Sequence, residues 1–131
     1  MRNRLMFIQV IICIFVSVIG CIDKKRDNVL TSARVICDSI SLGHVKEGTK
    51  RRVPFVVENT GSEVLIVRKV RTSCECTTAE YPENEIKSKE KDTVFLIYDA
   101  KDIGAFHRTA DVECNTNKSI RLTIIGFVDN K

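Results

Sequence analysis

The sequence has no tryptophan and only two tyrosines, which speaks against a surface that holds sugars by aromatic stacking. It has no glycine-rich phosphate loop, no G-x-S-x-G elbow and no H-E-x-x-H helix, so the usual nucleotide, serine-hydrolase and zinc-protease chemistries lack their parts. Asp99 and Asp102 flank a loop, but an Asp-x-x-Asp spacing is common on solvated turns and lacks the further oxygens of a Ca²⁺ site. Enzyme function is not expected. Long apolar runs are also scarce. Leu5 to Ile19, broken only by Gln9 and Ser17, is about 15 residues long, short of the roughly 20 that span a bilayer as a helix.

That run follows Arg2 and Arg4 and ends in Val18-Ile19-Gly20-Cys21, the pattern of a secretory leader closed by a lipobox. Residues 1–20 are therefore expected to be a lipoprotein signal peptide. Cys21 is the lipidation residue, carrying acyl chains such as palmitate, and more than one chain makes such an anchor stable. The alternative is an ordinary leader with an incidental cysteine. The charged stretch Ile22 to Asn28 has little to bury, so residues 21–33 are expected to form a lipidated N-terminus and flexible tether. Its Lys24, Lys25 and Arg26 can touch anionic headgroups. The localisation implied is a bacterial cell envelope, on the periplasmic or the surface side.

Without the leader, 19 basic residues face 17 acidic ones, a net charge of +2. This balance gives no polyanion-binding surface, and nucleic acid is not an expected partner. Of six cysteines, Cys13 leaves with the leader and Cys21 takes lipid. Cys37, Cys74, Cys76 and Cys114 remain, an even number that favours bridges outside the cytoplasm.

Residues 34–131 are enough for one domain with one core. Their apolar residues recur with period two. Arg52 to Glu58, Val64 to Val67, Thr93 to Tyr98, Phe106 to Cys114 and Ile120 to Val128 read as strands, separated by turn compositions at Asn59-Thr60-Gly61-Ser62 and Asn115-Thr116-Asn117-Lys118. Tyr98 is expected in the core and Tyr81 at an edge. The fold class is all-β, a β-sandwich.

The motifs Gly43 to Gly48, Phe55-Val56-Val57-Glu58-Asn59-Thr60-Gly61, Leu65-Ile66-Val67 with Val70, Ser73-Cys74-Glu75-Cys76-Thr77, Tyr98, Gly104 and Leu122 to Val128 occur in an order that resembles the DUF1573 family of bacterial secreted proteins and lipoproteins. The resemblance spans residues 38–128, and Ser73, Cys74, Cys76 and Thr77 are its specific element. It implies an immunoglobulin-like, seven-stranded antiparallel sandwich of the kind found in cilium and centrosome proteins, which bind partners and do no chemistry. Glu75 stands where the family usually has glycine, and Ser88-Lys89 where a Pro-Gly turn is usual.

In a sandwich of that topology, Cys37 at the start of the first strand and Cys114 at the end of the sixth approach one pole. A Cys37–Cys114 bridge is then expected, closing a loop of about 78 residues for roughly 4 kcal/mol. The alternative is two separate buried residues. Cys74 and Cys76 belong to the other pole. On a straight strand their Cα atoms stand about 6.6–6.8 Å apart, so a direct bond requires a bend. Two reduced sulfurs there, with His44 and His107, make a candidate Cu or Zn site, although a lone cysteine pair is not a four-ligand pattern.

Two functions follow. One is a lipid-anchored, non-catalytic binding module that offers loops or a free strand edge to a protein partner. The other is a thiol- or metal-handling lipoprotein centred on Cys74 and Cys76.

Overall fold

The computed structural model describes residues 29–130; the leader, Cys21 and most of the expected tether lie outside the described residues. Eight strands follow one another: β1 Ala33–Val35, β2 Ser39–Lys46, β3 Lys50–Asn59, β4 Val67–Thr72, β5 Thr77–Glu80, β6 Lys91–Asp99, β7 Gly104–Cys114 and β8 Ile120–Asp129. They form two four-stranded sheets, ordered β1-β3-β6-β5 and β2-β8-β7-β4. No helix occurs among the described residues.

The strand count is eight rather than seven, and the sandwich is not wholly antiparallel. What reads as one first strand is two. β1 pairs antiparallel with β3, placing Ala33 opposite Asn59. Residues 36–38 then carry the chain into the second sheet, where β2 runs parallel to β8 with Ser39 opposite Thr123. A later crossing, at residues 73–76, takes the chain from β4 back to β5 along the opposite flank. The β2–β3, β3–β4 and β6–β7 connections also cross between the sheets.

Period-two alternation fills the space between the sheets. Val53, Phe55 and Val57 of β3, Val94, Leu96 and Tyr98 of β6, Ala110 and Val112 of β7, and Leu122, Ile124 and Val128 of β8 are buried because alternate side chains share a face. Each large member contributes on the order of 1.5–3 kcal/mol by leaving water. Tyr98 stacks on Phe106 with ring centroids 4.3 Å apart, and Tyr81 is exposed. Val64 to Ile66, expected as strand, is instead a connection in which Leu65 alone bridges Ile86; β4 starts at Val67.

The expected tether gives way to the domain before residue 34. Thr31 is buried and bridges Thr116, and its hydroxyl donates to Asn59 Oδ1 at 3.0 Å. Asn59, at the foot of β3, donates through Nδ2 to the carbonyls of Glu63 and Ile86 and accepts from the Gly61 amide. Asn115 mirrors it. Its Oδ1 accepts from the Ile66 amide at 2.7 Å, and its Nδ2 donates to Val29 and Val64 carbonyls at 2.9 and 2.8 Å. Buried amides are tolerated because every polar atom has a partner. The two turn asparagines therefore act as knots closing this pole.

Candidate functional site

Ser73-Cys74-Glu75-Cys76-Thr77 is the passage from β4 to β5, and the local sequence explains its bend. The Thr72 hydroxyl and the Thr77 amide both donate to the Cys74 carbonyl, at 3.2 and 3.3 Å. On the β7 side, the Ser73 amide donates to the Thr109 carbonyl at 2.9 Å, and the Thr109 amide donates to the Ser73 hydroxyl at 3.0 Å. On the β6 side, the Asp99 amide donates to the Cys76 carbonyl at 2.9 Å. The passage is thus bonded to both sheets.

The bend brings the Cys74 and Cys76 Cα atoms to 5.2 Å, and the two sulfurs form a disulfide. This distance lies inside the range a disulfide accepts, whereas that of a straight strand lies at its limit. Both cysteines are half-buried. Spanning residues only two apart, the bond ties no distant elements together. The hydroxyl of buried Thr77 lies 3.5 Å from Cys74 Sγ and 3.8 Å from Cys76 Sγ.

Arg108 completes the surroundings. On β7, Phe106 and Ala110 face the core, so Arg108 between them shares their face. Its Nε–H donates to Cys76 Sγ at 3.2 Å, and its Nη1 donates to the carbonyl of His107 at 3.3 Å. No carboxylate forms an ion pair with it among the described residues. Burial raises the pKa of neighbouring Tyr98, with the charge of Arg108 acting against the rise. Sequence reading passed over Arg108, although its offset of two from Phe106 was the available signal.

The histidines do not join the sulfurs. His44, on edge strand β2, packs against Phe127 with its ring tilted and centroids 5.5 Å apart and places Nδ1 2.9 Å from Asp129 Oδ1. His107 is exposed on β7, on the face opposite to Arg108. Among the described residues no group of three or more His, Cys, Asp or Glu side chains converges as a metal site would require.

The Cys37–Cys114 bridge is not formed; both cysteines are free. The first strand reaches the pole earlier than expected, at Thr31 and Ala33, so Cys37 falls in the passage between sheets. There the Asp38 carbonyl accepts from Thr123, and Thr123 pairs with Thr109, five residues up β7 from Cys114. That offset is about 17 Å of strand. Cys37 is exposed and donates to the Ser39 carbonyl, while burial pushes the Cys114 thiol up to about 11.

The flank opposite the disulfide is open. β1 covers only Val57 to Asn59 of β3, with one more bond from the Ile36 amide to the Val56 carbonyl. From Lys50 to Phe55, β3 has a ladder partner on one side only, in β6. β2 likewise has only β8. Between these edges lies a groove lined by Ile40, Leu42, Lys50, Arg51, Val53 and Pro54, among others. The Val56 carbonyl points to the open side, so by alternation Lys50, Arg52 and Pro54 direct their backbone there too. Proline is accommodated because its missing N–H falls on the unpaired edge. Arg52 is engaged on the outer face, held by Glu80 at 2.8 Å with its guanidinium over Phe95. Lys50 and Arg51 are exposed and form no ion pair among the described residues.

Solved structures share this architecture at low sequence identity. The seventh PapD-like domain (ASH / PapD-like domain) of human CEP192 matches with a TM-score of 0.65 at 13% identity, over 78% of this chain and 88% of that one. A protein of unknown function from Porphyromonas gingivalis matches with a TM-score of 0.65 at 14% identity, over 77% of this chain and 48% of that one. The VesB protease of Vibrio cholerae matches with a TM-score of 0.56 at 16% identity, over 76% of this chain and 31% of the protease. Such likeness is one of fold, and this chain spans about half or less of the two bacterial proteins. No curated protein matches the chain. Residues 34–128 match the family DUF1573, described as a protein of unknown function, and the chain belongs to that family.

Proposed function

We propose that this protein is a non-catalytic, lipid-anchored immunoglobulin-like binding module of a bacterial envelope, and that it takes an extended acidic segment of a protein partner along the flank between β2 and β3. The open edge of β3 carries this reading. Lys50 and Arg52 present unpaired N–H and C=O groups there, and Pro54 presents a C=O, so an added strand finds ladder partners. Its inward side chains rest on half-buried Ile40 and Leu42. Lys50 and Arg51 supply the positive charge that favours an acidic occupant. Support for the anchor is the Gly20-Cys21 junction after the apolar leader.

Titration of the protein with an alternating Val-Glu decapeptide, followed by amide NMR, tests the flank. Shifts confined to Ile40, Leu42 and Lys50 to Phe55, lost in the double variant Lys50→Glu/Arg51→Glu, are expected. Shifts elsewhere, or none, would remove the reading. Palmitate labelling in cells tests the anchor separately: the label should vanish in Cys21→Ser, and a label that persists excludes Cys21 as its site.

A further inference from the structure

The geometry points to a thiol–disulfide exchange site at Cys74–Cys76, in which Arg108 stabilises Cys76 as the leaving thiolate. This activity is independent of partner binding at the β2/β3 flank. Three observations converge on it. The bridge links residues two apart and joins no distant elements, so a structural staple does not account for its position. Both cysteines are half-buried residues of a surface passage and not sealed within the core. Arg108 turns inward from β7 and donates Nε–H to Cys76 Sγ at 3.2 Å, with no carboxylate ion pair among the described residues.

A guanidinium aimed at one of two sulfurs breaks the symmetry of the bond. Thiolate is favoured beside a fixed positive charge, and the sulfur whose thiolate is better stabilised leaves faster. The other charges around the pair do not cancel this. Glu75 is exposed on the passage itself, and Asp99, at the end of β6, pairs with Lys101 at 3.3 Å. Asp102 lies in the following loop, and His107 faces away on β7.

The reductant is a dithiol. One of its thiolates attacks Cys74 Sγ, the Cys74–Cys76 bond breaks, and its electron pair departs on Cys76 Sγ, which Arg108 holds. The second dithiol sulfur, as thiolate, attacks the donor sulfur of the mixed disulfide. The donor leaves as a cyclic disulfide, and Cys74 thiolate takes up one of the two protons released. Two electrons pass from the dithiol to the protein.

Full-length protein reduced with dithiothreitol and alkylated over a range of pH, with each cysteine resolved by peptide mass, provides the test. The Cys76 midpoint should lie below the ordinary thiol value of about 8.5. Arg108→Gln should raise it by about one pH unit, and Arg108→Lys should lie between. Oxidised protein treated with glutathione and quenched should carry the adduct on Cys74 and the alkyl group on Cys76. Thermal unfolding of each variant verifies that the comparison is made on folded protein. A Cys76 midpoint indifferent to Arg108→Lys and Arg108→Gln, glutathione placed equally on both sulfurs, or a bridge that resists dithiothreitol until the protein unfolds would each overturn the assignment.

Discussion

The Thr31 hydroxyl donates to Asn59 Oδ1 across 3.0 Å, joining the first described residues to the far end of β3. Replacing Asn59 by alanine removes four hydrogen bonds, from that hydroxyl and the Gly61 amide and to the Glu63 and Ile86 carbonyls, while each of these groups keeps one other partner. No group is left without a partner, so the cost is that of the lost bonds, about 0.5–1.5 kcal/mol each. Asn59→Ala should lower stability by about 3 kcal/mol, read as the midpoint of urea unfolding. Thr31→Val, which removes one donor, should lower it by about 1 kcal/mol.

Two backbone positions near that pole should respond in opposite directions. Lys89 has a φ of 67°, a left-handed conformation that strains an L residue by roughly 1–2 kcal/mol. Lys89→Gly should stabilise by about 1 kcal/mol despite losing the Nζ bond to the Thr60 carbonyl. A Cβ on Gly61 would stand 2.7 Å from the Ser32 amide and collide with the Thr31 hydroxyl. Gly61→Ala should therefore destabilise by 2 kcal/mol or more. Thermal melts of the two variants side by side check the pair.

The free thiols should differ in accessibility by orders of magnitude. Cys37 is exposed and should alkylate rapidly at pH 8. Cys114 is buried, with its thiol pushed up to about 11, and should react only on unfolding. Time-resolved labelling with and without urea measures both. Cys37→Ser should leave the melting temperature unchanged, since no bridge is lost.

Acid should weaken the outer face of the second sheet. Arg121 bonds the Asp111 carboxylate at 2.8 Å and holds it below the usual carboxylate range. Because the folded value is depressed, the stabilisation is present above the unfolded value of about 3.9 and is lost as pH falls through the folded one. The pair is solvent-exposed, so the effect is on the order of 0.2–1 kcal/mol. Asp111→Asn should lower the melting temperature at pH 6 and leave it nearly unchanged at pH 2.

The strands β3, β6, β7 and β8 were legible because their apolar residues alternate over nine to eleven residues, long enough for period two to stand out. The passages between sheets were not. Residues 36–38 carry no local mark of a switch, so the height of Cys37 in the sandwich, and with it the expected bridge to Cys114, could not be set from sequence. Asn59 and Asn115 read as turn residues because a solvated turn asparagine and a buried one have the same letter. The bend at Ser73 to Cys76 depends on bonds from Thr109 and Asp99, brought there by other strands. Arg108 was one basic residue among 21; its significance lies in which face of β7 it occupies.

The length of β3 sets a distance between the two ends of the molecule. Asn59 stands opposite Ala33, where the chain enters, and Lys50 stands opposite Asp99, whose amide meets Cys76. Nine residue steps of strand, about 30 Å, separate those levels. If the chain is anchored as proposed, the end that carries Asn59 is the one nearer the N-terminus, and the sulfur pair lies at the other. On that reading the end of the domain turned away from the surface is the one that carries the Cys74–Cys76 bridge.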